Sequence, residues 1–416
     1  MKKLLTLIVT AILAVGCCFG MTACGGKKDD ETKTVKIGLI CLHDESSTYD
    51  KNFIDAFKAA ATAQGVEYLM KTGIAESSAC SEAAEDLIDN GCNLIFADSF
   101  GHEDYIIETA KKYSNVEFFH ATGTKAHTSG LKNYHNAFAS IYEGRYLAGV
   151  AAGMKLKAMI DNNEIKADQK DENGNVKIGY VGAFTYAEVV SGFTSWYLGV
   201  KSIVDKVVMS VQFTGSWYDE AGEKSAAETL IAKGCALISQ HADSWGAPNA
   251  CETAKVPNVS YNGSTESQCP NTFIVSSRIN WQPYFEYIIE CGKNGKSADT
   301  DWTGGLGDTL SSGSVTLTDL GKKAPADGTQ AKLDEVVKKL KDGSLKVFDC
   351  SKFTVNGEHL TSYMADVNYD EKYTADTQVI KTTDSGITTY FAESEFRSAP
   401  YFNIQIDGIT YLNTAF

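Results

Sequence analysis

The chain has 416 residues, 43% of them hydrophobic and 22% charged. That is the composition of a folded globular protein too long for one ordinary core, so two lobes are expected. A formal net charge of -15 repels phosphate backbones and excludes nucleic acid as an expected partner.

The elements begin with a leader. Met1-Lys2-Lys3 is a positive start, and residues 4–19 form an uncharged apolar run that is short for a membrane span. It ends in Met21-Thr22-Ala23-Cys24-Gly25-Gly26. Small residues directly before a cysteine suit the narrow pockets of a signal peptidase. Residues 1–23 therefore read as a lipoprotein signal peptide, Cys24 as the lipidated first residue, and 24–34 as a polar tether. Cys17 is a weaker competitor. The expected location is the extracytoplasmic face of the cell membrane, held by the lipid anchor.

Residues 35–42 (VKIGLICL) form a continuous apolar run, as expected of a parallel strand buried on both faces. Residues 43–51 are polar, and 52–65 carry Phe53, Ile54, Phe57, Ala60 and Ala61 at helical spacing. Strands follow at 66–70, 93–97 and 116–119, with helices at 81–90 and 105–113. This β-α alternation predicts a doubly wound parallel sheet. Residues 133–155 (NYHNAFASIYEGRYLAGVAAGMK) read as an extended segment, 134–139, feeding a small-residue-rich helix. Arg145, Gly149 and Gly153 share one face of it. After a polar loop the pattern restarts, with strands at 176–181, 207–213, 235–239, 258–261 and 272–277. Helices are expected at 188–204, 222–233, 281–291 and 329–342. Residues 345–349 and 353–356 suggest a hairpin. Beyond that, only 388–391 and 403–411 carry weak strand signals.

Eight cysteines lie beyond the leader region, with no C-x-x-C pair, which excludes zinc-ribbon and thioredoxin chemistry. Cys41 and Cys235 sit in apolar runs and read as buried thiols. An exported chain permits disulfides, with Cys251 and Cys269 as one candidate pair. No nucleophile elbow, zinc-protease or phosphate-loop motif occurs, and no nucleophile–base pair is visible, so an enzyme is not expected. His102-Glu103-Asp104 reads as a solvated helix start rather than a metal site. No metal or cofactor is expected.

Ligands of open parallel sheets bind at the carboxyl ends of strands. The candidates there are Tyr49, Ser99 and Phe100 from the first half. Phe184, Trp217, Asp243, Asn262 and Trp281 come from the second. Aromatic faces with a carboxylate and an amide suit a flat polar heterocycle or a sugar. Asp243 stands out because an acid directly after a buried strand needs a partner. His241 reads as structural, and core membership rivals the site for Trp217 and Trp281.

Several motifs in order carry a resemblance. They are Ser99-Phe100-Gly101, His120-Ala121-Thr122-Gly123, Tyr142 to Gly149 (YEGRYLAG), Gly179 to Phe184 (GYVGAF), Gly215-Ser216-Trp217-Tyr218-Asp219, Gln240-His241-Ala242-Asp243-Ser244 and Asn280-Trp281. Together they resemble the basic membrane protein family of ABC-transporter substrate-binding lipoproteins, the purine-nucleoside-receptor-like group. The resemblance spans residues 35–349. It implies an α/β, type I periplasmic-binding-protein fold: two Rossmann-like lobes with parallel sheets joined by three crossovers. The N-lobe would take 35–138 and 268–300. The C-lobe would take 139–267 and 301–416, ending in an extension past the family's usual limit. It further implies a monomer that captures a purine nucleoside or nucleobase and delivers it to an ABC permease. Tyr49 matches the family's first-loop aromatic, and Phe184 or Trp217 would supply the opposing face. Asp243 and Asn262 fall in cleft loops. The first loop reads Ser46-Ser47-Thr48-Tyr49-Asp50 where the nucleoside-binding branch usually shows Asp-x-x-Phe-Asn. Gly192 stands where that branch carries a phenylalanine. The alternative is a binding protein or sensory receptor for another small molecule, a flavin or a sugar.

Overall fold

The computed structural model describes residues 34–306, 313–367 and 377–414. Cys24 and the leader lie outside the described residues. The first lobe is built on β1 (Lys36–Ile40), β2 (Glu67–Lys71), β3 (Leu94–Ala97), β4 (Glu117–Ala121) and β5 (Tyr134–Ala139). They lie side by side as β5-β4-β3-β1-β2, all parallel. Between them run α1 (Thr48–Gln64), α2 (Ser78–Asp89) and α3 (Glu103–Lys112). Helix α1 starts earlier than its apolar spacing suggests, because the Ser47 side chain accepts the Asp50 N–H and caps it. Tyr49 is therefore in the first turn of a helix, not in a loop.

The chain crosses to the second lobe through α4 (Ile141–Asp161). There β6 (Val176–Gly182), β7 (Val207–Phe213), β8 (Ile238–His241), β9 (Asn258–Tyr261) and β10 (Phe273–Ile279) form a sheet ordered β10-β9-β8-β6-β7. The helices are α5 (Ala187–Lys201), α6 (Glu220–Ala232) and α7 (Gly246–Ala254). Helix α7 has no counterpart in the sequence reading, and β8 starts three residues later than expected. Helix α4 packs on α5 through paired glycines. A Cβ on Gly149 would stand 2.1 Å from Trp196 O, and one on Gly199 2.2 Å from Tyr146 O.

Two more crossings follow. After β10 the chain returns to the first lobe as α8 (Gln282–Lys293), which packs on α1, and β11 (Asp301–Gly304), which pairs with β5. It then goes back as β12 (Val315–Leu317), antiparallel to β10, and α9 (Thr329–Lys341). Three crossings join two parallel-dominated sheets, the two-lobe type I-like arrangement that the motifs imply. The strand memberships correct two expected boundaries. The strand within 268–300 belongs to the second sheet, so the return falls at Asn280 rather than at 268. The strand within 301–416 that follows α8 belongs to the first sheet.

The remaining described residues fold onto the second lobe. They supply β13 (Met364–Ala365), β14 (Thr377–Gln378), β15 (Ile380–Thr382), β16 (Thr389–Phe391) and β17 (Ile409–Tyr411). The hairpin expected from 345–349 and 353–356 does not form, because Asp349 bridges to Tyr390 instead. Strand β17 lies parallel to β7 at the sheet edge, and Phe348 stacks on Phe402 with centroids 4.4 Å apart. The extension thereby shares the second lobe's core. All eight cysteines of the described residues are buried and free, so Cys251 and Cys269 are not bonded.

Candidate functional site

The carboxyl ends of the two sheets face each other across a cavity of about 650 Å³. The lobes touch around it. Thr48 donates its N–H and its hydroxyl to Asp243 O at 3.0 and 3.2 Å, and Asn52 Nδ2 donates to Ile279 O at 2.7 Å. The rings of Phe100 and Tyr186, one from each lobe, lie 5.3 Å apart. Both are large apolar surfaces left 40% and 41% exposed. The cleft is thus held by hydrogen bonds between the lobes and lined by exposed aromatic faces, which are the surfaces that planar or ring-shaped ligands stack on.

Five of the eight candidate residues line the cavity: Tyr49, Ser99, Phe100, Trp217 and Asp243. Tyr49 turns its ring edge on Phe53 and donates its hydroxyl to Asp98 O at 2.8 Å. Ser99 donates to Glu76 Oε1 at 2.6 Å. Asp243 is buried at the end of β8. Burial, reinforced by Asp50, Glu223 and Glu188, pushes its carboxyl well above the ordinary range.

Three candidates stand elsewhere. Phe184 lies behind the wall, stacked on Tyr186 at 5.0 Å and edge-on to Trp217 at 4.9 Å, so it supports the aromatic face without joining the lining. Asn262 is buried in the left-handed region at φ 63°, where its backbone N–H donates to Ser277 O. Trp281 is 1% exposed. As the residue capping α8 it is pressed into the first lobe's core, stacked on Phe53 at 4.5 Å.

The lining also holds groups that sequence reasoning missed or read differently. Tyr186 and Glu188 directly follow Phe184, in the loop after β6 and the first turn of α5. His241 lines the cavity as well as serving the interior. The fully buried Arg145 donates to Gln240 O at 2.9 Å and to His241 Nδ1 at 3.2 Å. A guanidinium only donates, so Nδ1 accepts; Nε2 then carries the proton and donates to Glu188 Oε2 at 2.7 Å. Burial and the Arg145 charge keep this imidazole neutral against the pull of Glu188. The same guanidinium sits 4.1 Å from the ring centroid of Tyr261, another lining residue. Gly192 leaves the room this chain needs, since a Cβ there would be 2.7 Å from His241 Nδ1. That contact is a physical reason for glycine at this position.

Below the first-lobe face, Glu103 is buried rather than solvated. Its carboxylate accepts from Thr124 N, Lys125 N and Tyr134 Oη at 2.7, 2.9 and 2.9 Å, which fastens the loop after β4. Cys41, Asp50 and Asp98 are the one set of metal-type donors gathered among the described residues. Burial and the nearby Asp50 charge hold Asp98 well above the carboxylate range, while His43 and Ser47 hydrogen bonds outweigh burial and keep Asp50 below it. The two neighbouring carboxyls are thus pushed in opposite directions. The remaining wall comes from the extension, through residues such as Tyr363, Met364, Arg397, Tyr401 and Asn403. Their sequence carries no periodic signal that would have placed them there.

Residues 39–344 match the family model of the PnrA-like ABC transporter substrate-binding proteins, called Bmp. The chain is 29% identical over 264 residues to a purine-binding protein of Brucella abortus (strain 2308), covering 63% of this chain and 69% of that one. It is 30% identical over 221 residues to a putative ABC transporter glucose-binding protein of Haloferax volcanii, covering 53% of this chain and about half (51%) of the other. An ABC transporter solute-binding protein from Aeropyrum pernix K1 superposes with a TM-score of 0.60 at 17% identity, over 76% of this chain and 93% of that structure. No helix of the described residues is long and apolar enough to cross a membrane.

Proposed function

The chain belongs to the family of PnrA-like ABC transporter substrate-binding proteins, and on that premise we propose that it captures a purine nucleoside or nucleobase between its lobes. As a family member it serves a small-molecule solute and a permease partner. The observation that carries the purine reading is the clasp of exposed rings, Phe100 against Tyr186 with Trp217 alongside, on the same cavity wall as the buried Asp243. Ring faces hold a planar heterocycle, and a buried carboxyl offers hydrogen-bonding oxygens to its ring nitrogens and exocyclic groups. Tyr49, Ser99, Phe100, Trp217 and Asp243 are the proposed contacts. Closure about the three crossings would trap the solute and present the closed form to the permease. The purine-binding relative supports this choice, and the putative glucose-binding relative keeps a sugar as the competing solute.

We also propose that the chain is monomeric and is held at the extracytoplasmic face of the membrane by a lipid on Cys24. A Cys24→Ser variant should then lose incorporation of labelled palmitate and leave the membrane fraction. Retention of the label would refute the anchor.

The test of the solute is a thermal-shift screen of the mature chain against purine bases, nucleosides, flavins and sugars. At a hundredfold excess over Kd, binding adds about 2.7 kcal/mol, roughly 3 °C in Tm for a chain this long. A shift with purines supports the proposal. A shift with glucose or riboflavin alone overturns it.

A further inference from the structure

Resting on that reading, we propose that the C-terminal extension forms a third side of the solute site, where Tyr363, Met364 and Asn403 recognise the sugar of a purine nucleoside. The family match ends at residue 344, yet nine of the residues lining the cavity lie between 363 and 403. The site of this chain is therefore not closed by the family fold alone.

The wall is held in place from both lobes. Strand β17 adds to β7 of the second sheet, while Ser398 N donates to Asp301 Oδ2 on β11 of the first at 2.9 Å. Arg397 donates Nε to Ala399 O, one terminal nitrogen to Asp366 O and the other to Pro400 O, at 3.1, 3.3 and 3.0 Å. The buried Glu393 carboxyl accepts the N–H groups of Tyr401 and Phe402, both at 2.8 Å. A loop with its backbone carbonyls and amides tied down in this way keeps its side chains in place before any solute arrives.

The chemistry the wall presents is that of a hydroxyl-bearing ring. Tyr363 donates its hydroxyl proton to Asn403 Oδ1 at 2.7 Å. That leaves the Tyr363 oxygen as an acceptor and the Asn403 amide N–H groups as donors, and each sugar hydroxyl needs one of both. Met364, 46% exposed on the same wall, offers an apolar surface to the C–H face of a ring. Charge selects further. Asp243 aside, the lining holds five acids (Asp50, Glu103, Asp104, Glu188, Asp366) against Lys125 and Arg397, so a neutral nucleoside is favoured over its phosphate. Arg397 lies among Glu393, Asp301, Asp366 and Glu103, whereas Tyr49 lies among Asp98, Glu188, Tyr261 and Asp243. The extension thus meets the solute away from Tyr49.

The test compares Kd values for inosine with hypoxanthine, guanosine with guanine, and adenosine with adenine. The proteins are wild type, a Met364→Ala/Asn403→Ala double variant, and Ile387→Ala, an 84% exposed control on the same extension. Both test side chains are exposed, so the unliganded Tm should stay within about 2 °C of wild type. The expected result is a tenfold or greater loss of nucleoside affinity in the double variant with base affinity within twofold, and no change in the control. Unchanged nucleoside affinity overturns the proposal, as does an equal loss for nucleosides and bases. If wild type binds none of the six compounds, the purine reading falls and this inference falls with it.

Discussion

Gly149→Ala should be among the most damaging single-methyl additions in the second lobe. Helices α4 and α5 touch backbone to backbone here. The new Cβ would lie 2.1 Å from Trp196 O and 2.9 Å from Trp196 C, where ordinary contact begins near 3.4 Å. The obstacle is main chain inside a helix, so no side-chain rotation relieves it, and the helices must part by about 1 Å. Parting them loosens Trp196, Val150 and Tyr197 in the core and shifts Arg145, which holds His241 at the cavity wall. Overpacking of this kind costs about 1–3 kcal/mol, and a backbone clash belongs at the top of that range. With an unfolding entropy of about 0.8 kcal/mol per kelvin for this length, about 3 kcal/mol lowers Tm by roughly 4 °C. Gly305→Ala is the control, because nothing lies within 4 Å of its Cβ position. Scanning calorimetry of both variants decides the matter. A Gly149→Ala protein melting within 1 °C of wild type would refute the packing described.

Other outcomes follow from the same geometry. Burial holds Glu393 up at about 8, and Glu143 and Glu223 at about 7. Raised carboxyls favour the fold most below their unfolded range and lose that contribution as pH climbs through their folded values. Stability should therefore fall from pH 5 to 9. Glu393→Gln should flatten the slope by roughly 3–5 kcal/mol at about 1.4 kcal/mol per unit, and an unchanged slope counts against Glu393. Phe100→Ala and Tyr186→Ala should each weaken purine binding about tenfold, equivalent to about 1.4 kcal/mol, with little effect on Tm; equal affinity would remove the clasp. Trp281→Ala should cost about 3–5 kcal/mol of stability, while Trp281→Phe should leave solute affinity unchanged, as expected of a core residue. Reductant should not move Tm, and eight thiols should alkylate on denaturation of the mature chain; fewer would show a disulfide.

The regular elements were legible because buried parallel strands leave continuous apolar runs. The segments 134–139, 207–213 and 258–261 coincide with β5, β7 and β9. Helix α7 was hidden because nine residues of small and polar type (GAPNACETA) carry too little periodicity. The return crossing was misplaced because a strand does not say in which of two sheets it lies. Strand-end position picked out five residues of the cavity wall, Tyr49, Ser99, Phe100, Trp217 and Asp243, but could not tell a wall residue from the residue behind it. Phe184 and Tyr186 differ only in which of two stacked rings faces the cavity. Trp281 shows the same ambiguity at a helix start. The extension's share was illegible, since its contacts are long-range and its backbone is held by Glu393 and Arg397 rather than by regular elements.

The most direct test of the account is isothermal titration of unfolded and refolded, hence solute-free, mature chain with purine nucleosides. One saturable site per chain is predicted, its affinity lowered at least tenfold by combining Tyr49→Ala with Asp243→Asn. No heat with any purine, or full affinity in that double variant, would contradict the account.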